Sequence, residues 1–587
     1  MDYKQASKDF IDNEKQFHLG VIPTEQSNSL TVGLSDAIKK DTAEGIKVIY
    51  SADGNISKVA KTNFDSPEFK NMVKDIRRAV DEKRRVVISS VGASGRLALQ
   101  LNATWRKYWA DMAAKLPLRG REFWEIGEVF DAFTTGGDRA VVRSVENFED
   151  YMTFGAQQIR DAKVGKGDVV IALAECALSA SINGSAIEAD KQGCATYFLY
   201  CNPKEILSEH LERARLVFER DTIHFLPLYV GQMAVSGSTR MQVTTVELLI
   251  AGAALELAAH DWLKDNLNAE EMKLAGTVLT TDQYCAEFDK LVAALSSGDA
   301  LKGLAAAVDY EADTYTQNGL ITYITYDYLQ DILTDTTERQ PTFTLPPFRP
   351  ANEPNAPLSW AYAKDPTNPA ATAWQHILRR PINGLDWTKE DYQRLGAAQD
   401  IINKPPAIGS DQLDNYRIGW EDDPSRYECH PARLVCVDIN GAAHSKVLDW
   451  YAANRPKFDG GIILRMGDIP AAPFAAPHND TVINIPVQVP RTNMDLMGHI
   501  MVKLAFNVLS TATMAKVGRI WGNWMIQVLP TNKKLIDRST RIIAALGKVD
   551  YQTANEEFFR SFLERPPEEE YRESYVTETL RRLGVTF

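Results

Sequence analysis

The feature of the chain that most restricts its fold is a repeated alternation of short apolar segments with longer helical patterns. Strands separated by helices of this length predict a parallel sheet with helices on both faces. The alternation occurs twice, so we expect a strongly diverged tandem duplication of one α/β domain. The first set of apolar segments is "RRVVISS", "DVVIALAE", "ATYFLYC" and "DTIHFLPLYV", and the second is "GLITYITY", "ARLVCVDI", "GGIILRM" and "DTVINIPV".

The expected organisation has four parts. Residues 1–75 are predicted to form an N-terminal segment whose helices pack on the first domain, which covers 76–265. The second domain is predicted over 266–546, and a charged helical tail over 547–587. A stretch near 341–385 that is rich in Pro, Ala and Asn is expected to be an irregular insertion, ordered against the protein through its aromatic residues.

Composition and charge exclude several classes of function. The net charge of -13, from 65 basic and 78 acidic residues, argues against a nucleic acid or an anionic membrane as partner. No apolar run approaches the roughly 20 residues of a membrane span. Six Cys without a CxxC pair indicate a reducing, cytoplasmic compartment. The nine His residues show no metal-ligand spacing, and no nucleotide-binding loop is present, so we expect neither a metal nor a cofactor.

Residues 89–100, "SSVGASGRLALQ", are typical of a strand, a loop of small residues and a helix. Gly92, Ser94 and Gly95 would let the backbone close around an anion. The start of a helix offers such an anion free N–H groups and a partial positive charge. Ser94 as a simple helix cap is the alternative.

Two further strand-end loops carry small hydroxyl residues. Ser179 lies in "CALSAS", where it would cap the next helix and offer a hydroxyl, and Ser236 and Ser238 lie in "SGSTRM". In a parallel sheet, ligands bind beyond the carboxyl ends of the strands, where these loops meet. Three such loops together favour a phosphate or sugar site over independent helix caps.

Several longer motifs span residues 20–540: "PTEQSNSLT", "GASGRLA", "ENFEDY", "VSGSTRMQ", "DTTERQPTF" and "KLAFNVLSTATMAKVGRIWGNWMIQVLPTNKKL". Through them the chain resembles the sugar isomerase (SIS) domain proteins, and among these the N-acetylmuramic acid 6-phosphate etherases and the glucokinase regulatory protein. The resemblance implies two tandem SIS domains, each a flavodoxin-like or Rossmann-like αβα sandwich with a parallel sheet. It also implies a sugar phosphate as ligand.

The two copies have lost different parts of the family's site. Thr104 stands where the etherases have a catalytic Glu, whereas the second copy keeps Glu338 but has "TYDYLQ" in place of "VGASGR". In the long helix, Leu248 replaces a family Lys that the second copy keeps as Lys503. A symmetric dimer has two shared sites, and fusion of the copies frees one of them to decay. The pattern favours one composite site over random drift.

The resemblance also implies roles for three charged residues. Glu149 in "ENFEDY" aligns with the second catalytic Glu of the etherases, and Glu149 and Glu338 would serve as acid and base around one sugar. A surface carboxylate is the alternative for Glu149, and a helix end for Glu338. Lys503 lies on an apolar helix, so it either extends to the surface or contacts an anion, and we favour the anion.

Two functional hypotheses remain open. The first is a sugar-phosphate binding protein that resembles the glucokinase regulatory protein, which implies a sugar kinase as a partner and a monomer that acts as a pseudo-dimer. The second is a lyase or isomerase that acts on a hexose or amino-sugar 6-phosphate. Cys176, where the family usually has Ser, favours binding, and the long match near the C-terminus favours the etherases. We place binding without efficient catalysis ahead.

Overall fold

The core of the protein consists of two five-stranded parallel sheets, and a separate two-stranded antiparallel hairpin lies farther along the chain. The computed structural model describes residues 2–145, 148–441, 445–470, 474–565 and 573–586. The strands are β1 (Val86–Ser90), β2 (Phe130–Thr134), β3 (Val169–Leu173), β4 (Ala195–Tyr200), β5 (His224–Pro227), β6 (Leu320–Ile324), β7 (Ala361–Lys364), β8 (Ala432–Ile439), β9 (Gly460–Gly467), β10 (Thr481–Pro486), β11 (Ile520–Trp521) and β12 (Trp524–Met525).

The two sheets have the same topology. Their spatial orders are β2-β1-β3-β4-β5 and β7-β6-β8-β9-β10, so each runs 2-1-3-4-5 when its strands are counted along the chain. This is the doubly wound, flavodoxin-like order. The central strands β1 and β3 are buried along their whole length, as expected for a parallel sheet covered on both faces. The predicted fold class is confirmed.

Helices flank both sheets and form the two ends of the described chain. Those of the first half and the segment before it are α1 (Tyr3–Asn13), α2 (Leu34–Lys40), α3 (Thr42–Tyr50), α4 (Ile56–Asp65), α5 (Pro67–Asp81), α6 (Gly92–Lys115), α7 (Gly120–Gly127), α8 (Met152–Asp161), α9 (Ala180–Lys191), α10 (Lys204–His210), α11 (Glu212–Phe218) and α12 (Gln242–Asn266). Those that follow are α13 (Ala269–Met272), α14 (Thr281–Leu295), α15 (Gly298–Thr316), α16 (Leu329–Phe343), α17 (Ala370–Leu378), α18 (Lys389–Arg394), α19 (Gln399–Asn403), α20 (Ser445–Asn454), α21 (Leu496–Lys516), α22 (Lys533–Gly547), α23 (Tyr551–Glu564) and α24 (Tyr575–Arg582).

The long helices α12 and α21 pack against each other where the two halves meet. Helix α12 is long and apolar enough to cross a membrane, but 89% of its apolar window is buried inside the protein. That burial is the behaviour of a core helix. Each half therefore contributes one such helix to a shared core.

The N-terminal segment packs more widely than predicted. Helices α4 and α5 contact α12 of the first half, whereas α3 contacts α15 and α21 of the second half. Ile46, Ile49 and Tyr50 form the buried face of α3. The segment therefore bridges both halves, because its helices present apolar faces to each.

The stretch near 341–385 is not irregular throughout. It contains β7, which pairs with β6 at the edge of the second sheet, and helix α17. The sequence did not predict β7, because four residues within a Pro-rich segment are too few to show the alternation of apolar and polar side chains that is typical of a strand. Beyond α17, Arg380 donates to buried Asp138 of the first half at 2.6 Å, so this part of the chain also ties the halves together.

Buried ion pairs join the halves next to their shared core. Arg240, which precedes α12, donates to Asp335 of α16 at 2.7 Å. Asp335 also pairs with Arg339 at 2.9 Å and accepts from Ser510 at 2.8 Å. Only 3% of the Arg240 side chain and 2% of the Asp335 side chain are exposed. Each side chain needs its partner, since an unpaired charge that is buried in this way lowers the stability of the folded protein.

Replacing Asp335 by Ala leaves Arg240 and Arg339 without their shared carboxylate. We expect the free energy of unfolding to fall by about 3–5 kcal/mol, as for other broken buried pairs. Asp299→Ala is the matched control, because Asp299 pairs with Lys302 on the surface with both side chains largely exposed, and such pairs contribute about 0–1 kcal/mol. Urea unfolding measures both, and equal losses would contradict a special role for Asp335.

Candidate functional site

A cavity of about 150 Å³ lies where the carboxyl end of the first sheet meets α16 and the start of α22. We call it the composite cavity, because both halves line it. Ligands of doubly wound sheets bind at this end of the strands. Its polar lining comes from Thr135, Ser144, Glu149, Glu175, Ser238, Thr239 and Arg240 of the first half and from Glu338, Thr342, Asn532, Lys534 and Arg538 of the second.

The β1–α6 loop forms one wall of the composite cavity. Gly92 lines it, with φ of +57° in the left-handed region that favours glycine. Ser94 and Gly95 lie behind this wall. Ser94 is buried and its Oγ donates to Glu247, and a Cβ on Gly95 would lie 2.1 Å from Thr134 Oγ1. Gly95 therefore allows α6 to pack closely on β2.

The other predicted hydroxyl residues take different places. Ser238 lines the composite cavity, whereas the hydroxyl of Ser236 donates to the Glu25 carbonyl at 2.9 Å, away from it. Ser179 is the N-cap residue of α9, but its hydroxyl makes no cap bond. It donates instead to Glu149 Oε2 at 2.9 Å and so supports that carboxylate.

Glu149 is held by a cation from the other half. Lys534 Nζ donates to Glu149 Oε1 at 3.1 Å, and Asn532 Nδ2 donates to the same oxygen at 3.4 Å. Burial works to raise the pKa of Glu149, but the charge of Lys534 and the bonds from Lys534 and Ser179 hold it below its ordinary value. The first two residues of "ENFEDY", 146 and 147, lie outside the described residues.

Glu338 reaches the composite cavity from α16 and is held by a cation of the first half. Its carboxylate pairs with the guanidinium of Arg96, of which only 2% is exposed. Arg96 Nε also donates to the Val141 carbonyl at 2.8 Å and to Thr337 Oγ1 at 3.0 Å. The structure thus brings the two predicted carboxylates, Glu149 and Glu338, to one cavity from opposite halves.

A third carboxylate, Glu175, was not predicted. Its Oε1 accepts from the Ser94 backbone N–H and from Thr239 Oγ1, both at 3.4 Å, so it lies at the N-terminus of α6 where an anion would bind. Burial and the charges of Glu338 and Glu149 raise the pKa of Glu175 to about 7, against the opposing charge of Lys534. An acidic residue at the end of the apolar segment "DVVIALAE" is the signal that could have revealed it.

Glu247 lies behind Glu175 on α12. It accepts from the Glu175 backbone N–H at 3.1 Å and from the Ser94 hydroxyl. Burial and the neighbouring Glu175 raise the pKa of Glu247 to about 8. Burial therefore keeps both carboxyl groups partly protonated near neutral pH.

Lys534 and Arg538 supply the positive charge of this region and were also missed. Burial opposes the charge of Lys534, but Glu149, Glu175 and Glu25 keep its pKa above the ordinary value. Arg538 donates to Glu25 Oε2 at 2.9 Å. Lys534 lies in "PTNKKL", within the longest motif of the sequence. The two adjacent lysines of that motif were the sequence feature that could have indicated an anion-binding residue.

Lys503 lies outside the lining of the composite cavity. Its Nζ donates to the carbonyls of Arg240 and Met241 at 3.1 and 3.2 Å, and to Thr245 Oγ1 and Asn507 Oδ1, both at 2.8 Å. Burial lowers the pKa of Lys503 to about 7. Lys503 therefore holds the turn that presents Arg240, and a direct contact with an anion stays a prediction.

Comparison with known proteins agrees with this architecture. Residues 68–189 match the family model of the glucokinase regulatory protein N-terminal SIS domain. The chain is 28% identical over 171 residues to an N-acetylmuramic acid 6-phosphate etherase of Oceanobacillus iheyensis. This match covers 27% of this chain and 56% of that relative. A 53-residue match to the etherase of Listeria monocytogenes is 53% identical and covers 9% of this chain and 18% of the relative.

Among solved structures, the C-terminal domain of glucosamine-fructose-6-phosphate aminotransferase from Francisella tularensis aligns with 81% of this chain and 96% of its own, at 13% identity and a TM-score of 0.40. The match over residues 68–189 and the two doubly wound sheets make the chain similar to the SIS-domain proteins. Within that class, the chain resembles the N-acetylmuramic acid 6-phosphate etherases and the glucokinase regulatory protein.

The raised pKa of Glu175 makes the protein less stable as the pH rises. Between the ordinary value of 4.5 and about 7, the unfolded chain loses this proton before the folded protein does, so the free energy of unfolding falls. Glu175→Gln removes this loss, and we expect it to raise the melting temperature at about pH 8 and to change it little at about pH 4.

Glu149→Gln is the matched control, because the pKa of Glu149 is lowered in the folded protein. Its charged form contributes stability above the ordinary carboxyl pKa, so this variant should melt lower than the wild type at about pH 8. Thermal melts followed by circular dichroism test both. The same sign for the two variants would contradict the assigned environments.

Proposed function

We propose that the protein binds a sugar phosphate in the composite cavity and acts as a binding or regulatory protein. The observation that carries this proposal is the meeting of residues from both halves around one cavity beside the start of α6. Gly92, Ser238 and Thr239 come from the first half, and Lys534 comes from the second. Backbone N–H groups at a helix start, hydroxyls and a lysine form a chemically suitable phosphate site.

Glu149 and Glu338 suit the sugar part of such a ligand. Carboxylates accept hydrogen bonds from sugar hydroxyls, and the two groups line the composite cavity from opposite halves. The carboxylate of Glu175 lies at the start of α6, where a phosphate would bind. A phosphate would therefore have to displace this carboxylate, or bind when Glu175 is protonated. Phosphate affinity is therefore expected to fall as the pH rises through about 7.

The surroundings of the carboxylates favour binding over efficient catalysis. A base that removes a carbon-bound proton works best with a pKa near the operating pH, and the pKa of Glu149 is held low by Lys534. Glu338 is engaged by Arg96. The observation that favours the second candidate, a lyase or isomerase, is the pKa of Glu175 of about 7, which suits acid–base chemistry.

Three accompanying predictions belong to this proposal. A sugar kinase as partner and a single chain acting as a pseudo-dimer follow from the resemblance to the regulatory protein. A cytoplasmic location suits the six cysteines, which are all free thiols. None of these enters the binding argument.

Lys534→Ala should weaken binding of glucose 6-phosphate and N-acetylglucosamine 6-phosphate by about 10- to 100-fold, because a charged hydrogen bond is lost. Lys533→Ala is the matched control, since Lys533 is the adjacent lysine but pairs with Glu14 and does not line the composite cavity. Isothermal titration calorimetry measures both. Equal affinity for the free sugars, or equal effects of the two variants, would refute phosphate recognition by Lys534.

Glu149→Gln and Glu338→Gln separate binding from catalysis. A binding protein should change only its affinity, by about 1–2 kcal/mol for each lost charged hydrogen bond, with no exchange of the proton at sugar C2. NMR of the bound sugar phosphates in D₂O follows that proton. Exchange in the wild type that either variant slows by about 10²-fold or more would favour the lyase or isomerase instead.

A further inference from the structure

A second and larger cavity, of about 260 Å³, lies along the same two helices, farther along α6 and at the start of α16. This second cavity is also lined by both halves. Its inner residues are Gln100, Thr104, Gln330, Asp331, Asp495 and His499. The volume is a little below the roughly 300 Å³ at which pockets for drug-sized ligands begin, so it suits a small metabolite.

The second cavity is the counterpart of the composite cavity under the internal duplication. Thr104 lies 14 residues after the end of β1 (104 − 90), as Glu338 lies 14 residues after the end of β6 (338 − 324). Tyr326, Asp327 and Tyr328 follow β6 where small residues follow β1. The carboxylate of Asp327 and the two tyrosine side chains replace the small residues found after β1. A ligand of the second cavity is therefore not expected to bind the backbone N–H groups of a helix start, as a phosphate would at α6.

A histidine and a carboxylate form the floor of the second cavity. His499 Nδ1 lies 3.0 Å from Asp331 Oδ1, and His499 Nε2 lies 3.4 Å from Thr104 Oγ1. Gln100 Nε2 donates to Asp331 Oδ1 at 2.6 Å. Burial works against a charge on His499, but Asp331 keeps its pKa above the ordinary value. Asp331 is itself buried, with 1% of its side chain exposed, so it fixes the imidazole of His499, which is the more accessible group of the pair.

Two buried polar atoms of the second cavity lack partners among the residues that the structure describes. They are Gln330 Nε2, in a residue that is only 9% exposed, and Asp495 Oδ1. Buried polar groups are rarely left without a hydrogen bond, because each costs free energy. One of these atoms is a donor and the other an acceptor. Neither is accessible to a water-sized molecule in this conformation, so a ligand hydroxyl would bond either atom only after its side chain turns towards the second cavity.

Cations without a carboxylate partner lie around the second cavity. Within the described part of the chain, neither Arg379 nor Lys115 makes an ion pair, and Lys115 donates only to the Leu274 carbonyl, at 3.1 Å. The other cations differ, since Lys107 pairs with Asp111 and Arg491 pairs with Asp495, both at 2.8 Å. Asp327 also lines the second cavity without an ion pair among the described residues, so the two unpaired cations outnumber the unpaired carboxylate and favour an anionic group on the ligand.

We propose that the second cavity binds a small polyhydroxylated anion, a sugar acid or a sugar phosphate. Arg379 and Lys115 face the anionic group, while Gln330, Asp495 and the imidazole of His499 face the hydroxyls. This site is separate from the composite cavity and does not depend on the function proposed for it.

The test uses four probes: D-gluconate, glucose 6-phosphate, 6-phosphogluconate and uncharged glucose. Each is titrated by calorimetry into Lys534→Ala protein, in which the composite cavity is impaired, and into the same protein with Arg379→Ala or Lys115→Ala added. Arg121→Ala is the control, because Arg121 is 93% exposed, pairs with Glu125 and lines neither cavity. Thermal melts check that each variant is folded.

We expect at least one anionic probe to bind Lys534→Ala protein, glucose to bind more weakly, and Arg379→Ala or Lys115→Ala to reduce the affinity by about tenfold or more. Binding of gluconate alone would identify a carboxylate ligand, and binding of glucose 6-phosphate alone a phosphate. The proposal is overturned if no anionic probe binds Lys534→Ala protein at millimolar concentration, or if both added changes act like Arg121→Ala. Failure of the composite-cavity proposal would appear separately, as glucose 6-phosphate binding that Lys534→Ala does not alter.

Discussion

The pairing of buried charges across the two halves is the interaction on which the rest of the structure depends. Arg96 of α6 holds Glu338 of α16, and Arg240 before α12 holds Asp335 one turn earlier on the same helix. Neither partner can be withdrawn without leaving a charge in the interior. Since Arg240 and Glu338 also line the composite cavity, the contacts that join the halves determine where the site's groups lie.

Crowding of carboxyl groups is the second property of the composite cavity. Glu149, Glu175 and Glu338 line it, Glu247 lies behind it, and Lys534 is the cation that faces the first two most closely. Burial and the charges of Glu338 and Glu149 raise the pKa of Glu175. Burial and the charge of Glu175 raise the pKa of Glu247, whereas Lys534 holds that of Glu149 below its ordinary value. The site therefore holds protons near neutral pH, and an incoming anion changes how many it holds.

Much of the fold could be predicted from the sequence, because buried parallel strands such as β1 and β3 consist largely of consecutive apolar residues. Strand β7 could not, since four residues in a Pro-rich stretch carry too little pattern. Glu149 and Glu338 were found through their motifs. Sequence alone could not tell that Ser94 faces Glu247 and that Lys503 faces backbone carbonyls, because side-chain direction at a helix start depends on tertiary packing.

Lys534 and Glu175 show the limit of reasoning from strand-end loops. Lys534 comes from α22, which follows the second sheet, and reaches Glu149 of the first half across 385 positions of chain. No local pattern predicts such a contact. Glu175 lies in the expected loop, but its carboxylate is itself an anion, whereas the start of a helix favours residues that leave room for an anionic ligand.

Hydrogen–deuterium exchange with and without saturating glucose 6-phosphate tests the central claim, a ligand site shared by the two halves. The starts of α6 and α22 lie next to the composite cavity, which Gly92 lines from α6 and Lys534 lines from α22. We expect the ligand to slow exchange in both segments together, because one molecule contacts both. Slower exchange confined to the peptides of one half would contradict a composite site.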